Sequence, residues 1–128
     1  MARVLPRSFF ARSALRVAPE LLGKHLVVRA DGMDLALPVT EVEAYHGRDD
    51  RASHASRGRT KRNGVMFGPA GVWYVYFVYG IHWMLNVTTG GEGEPSALLI
   101  RGAGDITGPA RLTTHMGLDR RCNERPAT

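Results

Sequence analysis

The sequence predicts an α+β fold in which a mainly antiparallel sheet has helices packed around it, and three observations point there. Apolar residues alternate with a period of two through the middle of the chain, glycine-containing turns separate those runs, and helical patterns lie near both ends. At 128 residues and 44% hydrophobic content, the expectation is one modest domain over residues 1–128 with a core but no second module.

The elements follow in chain order. Residues 9–22 read as short helical pieces with apolar positions Phe10, Ala14, Leu15, Val17, Leu21 and Leu22; Pro19 suits a first turn and Gly23 a helix stop. Leu26-Val27-Val28 reads as a strand, and Asp31-Gly32 signals a hairpin. The return strand runs from Met33 to Tyr45, with Met33, Leu35, Leu37 and Val39 on one face and Pro38 marking an edge. From His46 to Gly71 the apolar period vanishes, and Arg48, Arg51, Arg57, Arg59, Lys61 and Arg62 dominate. A loop of that size is either functional or disordered. A strongly β-forming run follows from Val72 to Val78, turns near Gly80 and continues to Thr88. Gly90, Gly91, Gly93 and Pro95 make the next turn, before a strand from Ala97 to Arg101. Thr107-Gly108-Pro109 opens a helix that runs to about Met116, and the last ten residues have no periodic signal.

Composition narrows the function. Net charge is +5 and the pI about 10.0, which favours an anionic partner. Only Lys24 and Lys61 are lysines, so the cations are almost all arginine, whose planar fork pairs with two phosphate oxygens at once. Cys122 is the single cysteine, which excludes an internal disulfide and any site built on paired cysteines. No run reaches the length of a membrane-spanning helix, and no signal-peptide pattern opens the chain, so the expected location is cytoplasmic.

Three constellations could carry chemistry. On an extended strand Glu41, Glu43 and Tyr45 project to one side, and that side is apolar earlier in the strand. A partly buried carboxylate near a cation serves either as a general base or as a structural ion pair, and the pattern alone does not decide. In the aromatic run, Tyr74 and Tyr76 share one face while Trp73, Phe77 and Tyr79 share the other; most of it is core material, yet a tyrosine needs a partner or a ligand. Tyr79-Gly80-Ile81-His82 sits at a hairpin tip, where exposed apolar groups suit a wedge between base pairs. The arginine-rich loop is by itself a solvated segment; directly before an aromatic strand it favours nucleic acid.

These pieces together resemble a known family. Glu41-Val42-Glu43-Ala44-Tyr45, His54 within Ala52-Ser53-His54-Ala55-Ser56, and Arg62-Asn63-Gly64-Val65-Met66-Phe67 look like the signature of the alkyladenine (3-methyladenine) DNA glycosylases. Tyr74 to Gly80, Asn86-Val87, Leu98-Leu99-Ile100-Arg101 and Gly108-Pro109-Ala110-Arg111-Leu112 continue it in order, so the resemblance covers most of the chain to about residue 112. It implies a curved sheet of the formyltransferase C-terminal-domain-like barrel type. It also implies base excision repair at the nucleoid: an alkylated or deaminated purine is flipped out of double-stranded DNA and its N-glycosidic bond hydrolysed by water, without metal or organic cofactor.

The residue roles are likewise implied by the resemblance. Glu43 would be the general base and Arg101 would stand beside the attacking water and the sugar. Tyr45 and Tyr76 would stack on the flipped base, His54 would form a wall, and Asn86 would clash with the exocyclic amine of normal guanine. Tyr79 would fill the gap left in the duplex, flanked by Ile81 and His82, with Met66 near the opposite strand.

Family members extend past the point where this chain stops. The resemblance therefore implies a chain without the family's C-terminal part, which adds strands, closes one side of the pocket and supplies a carbonyl to the attacking water. A truncated, catalytically weak or inactive lesion-binding DNA module is thus the alternative to a working hydrolase. A metal-dependent hydrolase using Glu41, Glu43, His46, Asp49, Asp50 and His54 is a further rival, without a helical His-x-x-x-His pattern behind it.

Overall fold

The structure, a computed structural model, describes residues 4–30, 32–45, 64–78, 80–91, 93 and 95–128. The N-terminal helical segment breaks in two, α1 (Arg7–Phe10) and α2 (Ala14–Leu21). Ser13 caps α2 by accepting the backbone N–H of Leu15 at 3.3 Å. Ala14, Val17 and Leu21, spaced to fall on one face, are its buried positions. Pro19 stands inside α2, near its end, and not in a first turn as the sequence suggested. The helix is only two turns long, so a late proline forfeits little hydrogen bonding. Beyond it Gly23, at φ +88°, donates its N–H to the Val39 carbonyl and leads the chain into the sheet.

β1 (His25–Ala30) and β2 (Met33–Tyr45) form the expected antiparallel hairpin, with Gly32 at φ +76° in its two-residue turn. The first half of β2 pairs with β1, and the second half pairs with β5 (Ala97–Ala103). Pro38 lies where the strand changes partner, so its missing N–H interrupts no ladder. β3 (Trp73–Val78) and β4 (His82–Thr88) form a second hairpin around Gly80, at φ +69°. Strand order is β1-β2-β5-β4-β3, with β6 (Ile106–Thr107) attached to β5, and every pairing is antiparallel. The sheet curls into a half-barrel, which bears out the α+β expectation. α3 (Pro109–Met116) begins with Pro109 behind Gly108 and runs to Met116, as its sequence predicts, and it ends at left-handed Gly117.

The period of two sorts the strands into two faces. Val42 and Ala44 of β2, Val75 of β3, Leu85 and Val87 of β4, and Leu98 and Ile100 of β5 pack with α2 and α3 as the main core. Tyr74, Tyr76 and Ala97 turn to the opposite face, where Met66 and Phe67 of a short 3-10 helix (Gly64–Phe67) cover them. The candidate site lies on this second face.

The C-terminal tail has more organisation than the sequence indicates. Trp73 donates its N–H to the Arg125 carbonyl and accepts from Glu124, both at 2.8 Å, and Val72 bridges Pro126. The tail thereby satisfies the outer edge of β3. Backbone pairing of this kind is indifferent to side-chain order, which is why no periodic signal announces it. Among the described residues no helix is long and apolar enough to cross a membrane.

Candidate active site

The site begins with an irregularity between β2 and β5. Val39 opposes Ala103 and Glu41 opposes Gly102, which leaves Thr40 as an extra residue on β2. Val42 then opposes Ile100, which leaves Arg101 as an extra residue on β5. Such bulges change the phase of a strand and re-aim its side chains. Before the irregularity Val39 points into the main core; after it Val42 and Ala44 do. Glu41, Glu43 and Tyr45 are thereby released from the core side. The sequence pattern put Val39 and the carboxylates on one continuous face, and the bulge is the physical reason they are not.

Arg101 projects between the two carboxylates. Its Nη1 donates to Glu43 Oε2 at 3.2 Å, and its Nε lies 3.9 Å from Glu41 Oε1. The side chains of Glu43 and Arg101 retain 43% and 37% of their exposure, so solvent screens the pair and it contributes little to stability. The Tyr45 hydroxyl donates to the other oxygen, Glu43 Oε1. Burial, first, and then the hydrogen bond to Glu43 and that carboxylate's charge push the Tyr45 phenol well above the ordinary tyrosine range; the Arg101 charge opposes them. Tyr45 is therefore a neutral donor at physiological pH.

Beside this group Tyr45, Met66, Tyr74, Tyr76 and Asn86 line a slot of about 10 Å3, room for about one water molecule. The Tyr74 and Tyr76 rings lie 5.0 Å apart between centroids, tilted by 41°. Asn86, 2% exposed, donates from Nδ2 to the Tyr74 carbonyl at 3.1 Å, which fixes the orientation of its amide. Tyr45 is the half-exposed member, whereas Met66, Tyr74, Tyr76 and Asn86 are buried.

Half of the ten sequence-derived site residues converge here: Glu43, Arg101, Tyr45, Tyr76 and Asn86 lie on one face around one slot. Met66, expected near the opposite strand, is 2% exposed and lines the slot. Ile81 and His82 stand apart at the hairpin tip, with Ile81 69% exposed. His54 and Tyr79 lie outside the described residues, as does the arginine-rich loop 46–63 with His46, Asp49 and Asp50 of the metal-dependent rival. Two contributors had no role in the glycosylase resemblance, Tyr74 as a slot wall and Glu41 as a second partner of Arg101. Both were signalled by sharing a strand face with Tyr76 and Glu43 respectively.

Comparison with known proteins adds a family. The methylpurine-DNA glycosylase (MPG) family profile matches residues 8–107. A protein of Anaeromyxobacter sp. (strain Fw109-5) is 54% identical over 113 residues, covering 88% of this chain and 58% of its own length. One from Streptomyces avermitilis is 48% identical over 137 residues, covering 91% of this chain and 64% of its own. One from Legionella pneumophila (strain Corby) is 47% identical over 131 residues, covering 96% and 71%. Each of the three is named "Putative 3-methyladenine DNA glycosylase". The chain thus spans about three fifths of the length of the first two.

Proposed function

The chain belongs to the methylpurine-DNA glycosylase family, and from that premise we propose that it is a DNA repair enzyme that hydrolyses the bond between a damaged purine and its sugar. The carrying observation is that the Glu43–Arg101 pair adjoins the slot of Tyr45, Tyr76 and Asn86 on one sheet face. A general base with a cation beside an aromatic slot is what removal of a flat base by water requires.

In this mechanism the purine leaves the duplex and enters between Tyr45 and Tyr76. N-alkylation often makes the base cationic, and each electron-rich ring then attracts it by about 0.5–2 kcal/mol. Such lesions pair and stack less well, which lowers the cost of flipping. The anchored Asn86 amide cannot swing aside, and it meets the exocyclic amine of normal guanine. Glu43 takes a proton from the attacking water as the water oxygen bonds the anomeric carbon; the N-glycosidic bond breaks and its electron pair departs with the base. Charge on Glu43 also stabilises the oxocarbenium character of the sugar. Each carboxylate oxygen has two lone pairs, so bonds to Tyr45 and Arg101 leave room for that water.

DNA is the partner in this reading, held by arginines through its phosphates. Tyr79 is assigned as the wedge at the hairpin tip, with Ile81 and His82 flanking it, and His54 as a further wall of the base pocket. The expected result of the direct test is that purified protein converts a duplex carrying one hypoxanthine into an alkali-labile abasic site. Lesion-preferring binding without base release would replace the hydrolase with a lesion-binding module. Tyr79→Ala is expected to weaken binding to lesion duplex by about tenfold or more while barely affecting single strands, since only a duplex has a gap to fill. Equal losses in a gel-shift titration of both would remove the wedge.

A further inference from the structure

We propose that the Tyr45 hydroxyl is a positioning group for Glu43, a task separate from stacking its ring on the base. This rests on the reading of Glu43 as general base. Glu43 and Tyr45 stand two residues apart on the same face of β2, a spacing at which a phenol can reach back to a carboxylate. The Tyr45 hydroxyl donates to Oε1 while Arg101 donates to Oε2 from the neighbouring strand. Both oxygens are thus held by donors on two different strands.

Such a clamp answers a specific difficulty. The Glu43 side chain is 43% exposed, and a glutamate in that setting otherwise samples several rotamers, whose loss opposes a fixed aim. Arg101 alone is a shared anchor, because its Nε also lies 3.9 Å from Glu41 Oε1. The second anchor is local and made by a side chain that itself lines the base slot. Base recognition and carboxylate orientation therefore share one residue, and a base seated against the Tyr45 ring meets a carboxylate already aimed. Among the described residues, the charged and titratable groups around this contact are Glu41, Glu43 and Tyr45 on β2, Arg101 on β5 and Tyr76 on β3. Glu43 and burial raise the Tyr45 phenol, and Arg101 lowers it.

The test uses Tyr45→Phe, which keeps the ring, together with Glu43→Gln. Single-turnover base release by Tyr45→Phe is expected to fall about tenfold while its affinity for lesion duplex stays within about twofold of the native protein. In parallel, 13C-labelled tyrosine ring carbons are followed by NMR through an alkaline titration, with the Tyr45 signal assigned by its loss in Tyr45→Phe. Its midpoint is expected to drop by about one pH unit in Glu43→Gln, because the charge that holds the proton on the phenol is gone. An unmoved midpoint overturns the proposal, as does Tyr45→Phe releasing base at the native rate or losing affinity in place of rate. Should the native protein release no base, or Glu43→Gln release it equally fast, the general-base reading fails and takes the proposal with it. The Tyr45 midpoint tells that failure apart from a missing contact, since it needs no turnover.

Discussion

Glu43→Gln will reduce single-turnover release of hypoxanthine from a duplex by about a thousandfold, within the hundred- to ten-thousandfold range of a positioned general base. The substitution preserves shape. The amide oxygen can still accept from the Tyr45 hydroxyl, and what disappears is the charge and the ability to take a proton from water. Folding should scarcely notice, because Glu43 and Arg101 are both substantially exposed and pairs of that kind contribute about 0–1 kcal/mol. A thermal melt within a few degrees of native, with binding to lesion duplex retained, therefore accompanies the lost rate. Glu41→Gln is the internal contrast. Glu41 lies farther from Arg101, at 3.9 Å, is 53% exposed and is not held by Tyr45, so its loss costs less than about threefold. Equal losses for the two variants would mean that net negative charge near Arg101 is what matters. A Glu43→Gln protein within tenfold of native would remove the carboxylate from the chemistry.

How far this site could be read from the chain depends on the kind of interaction that builds it. Strand faces and hairpin turns are local, and they were legible: the turns at Gly32 and Gly80 and the alternation that separates Tyr74 and Tyr76 from Trp73 all appear in the fold. The proximity of Glu43 to Tyr45 follows from a spacing of two on one strand. Its meeting with Arg101, 58 residues later, follows from the pairing of β2 with β5, which no local pattern encodes. There the family resemblance supplied what periodicity could not. The paired extra residues Thr40 and Arg101 were invisible, because a bulge is a property of two strands together and interrupts the alternation of neither in an obvious way. The same holds for the tail along β3, which is held by its backbone and by the Asn123 side chain accepting the Val75 N–H at 2.9 Å.

Gly102→Val tests whether that bulge is what delivers Arg101. Gly102 directly follows Arg101 and opposes Glu41. A Cβ at this position would lie 2.9 Å from Thr40 Oγ1, 3.1 Å from the Ile106 carbonyl oxygen and 3.5 Å from Glu41 Cβ. Thr40 is exposed and its hydroxyl can rotate away, but the carbonyl belongs to Ile106 of β6, paired with β5, and moves only with its backbone. Valine adds two further methyl groups in the same space, so overpacking should cost about 2–3 kcal/mol. That lowers the melting temperature by roughly 5–15 °C for a domain of this size. The strands must also separate or slide locally, and Arg101 and Glu41 are the residues displaced first. Base release is expected to fall about ten- to a hundredfold even at temperatures where the variant is fully folded, since a shift of about 1 Å in a positioned group is worth that much. Gly102→Ala should show both effects in smaller degree, and adding Thr40→Ala to it should recover only part, because the Ile106 carbonyl remains. If Gly102→Val instead melts early but, once folded, works at the native rate, the bulge serves the stability of the sheet and the aim of Arg101 is set elsewhere.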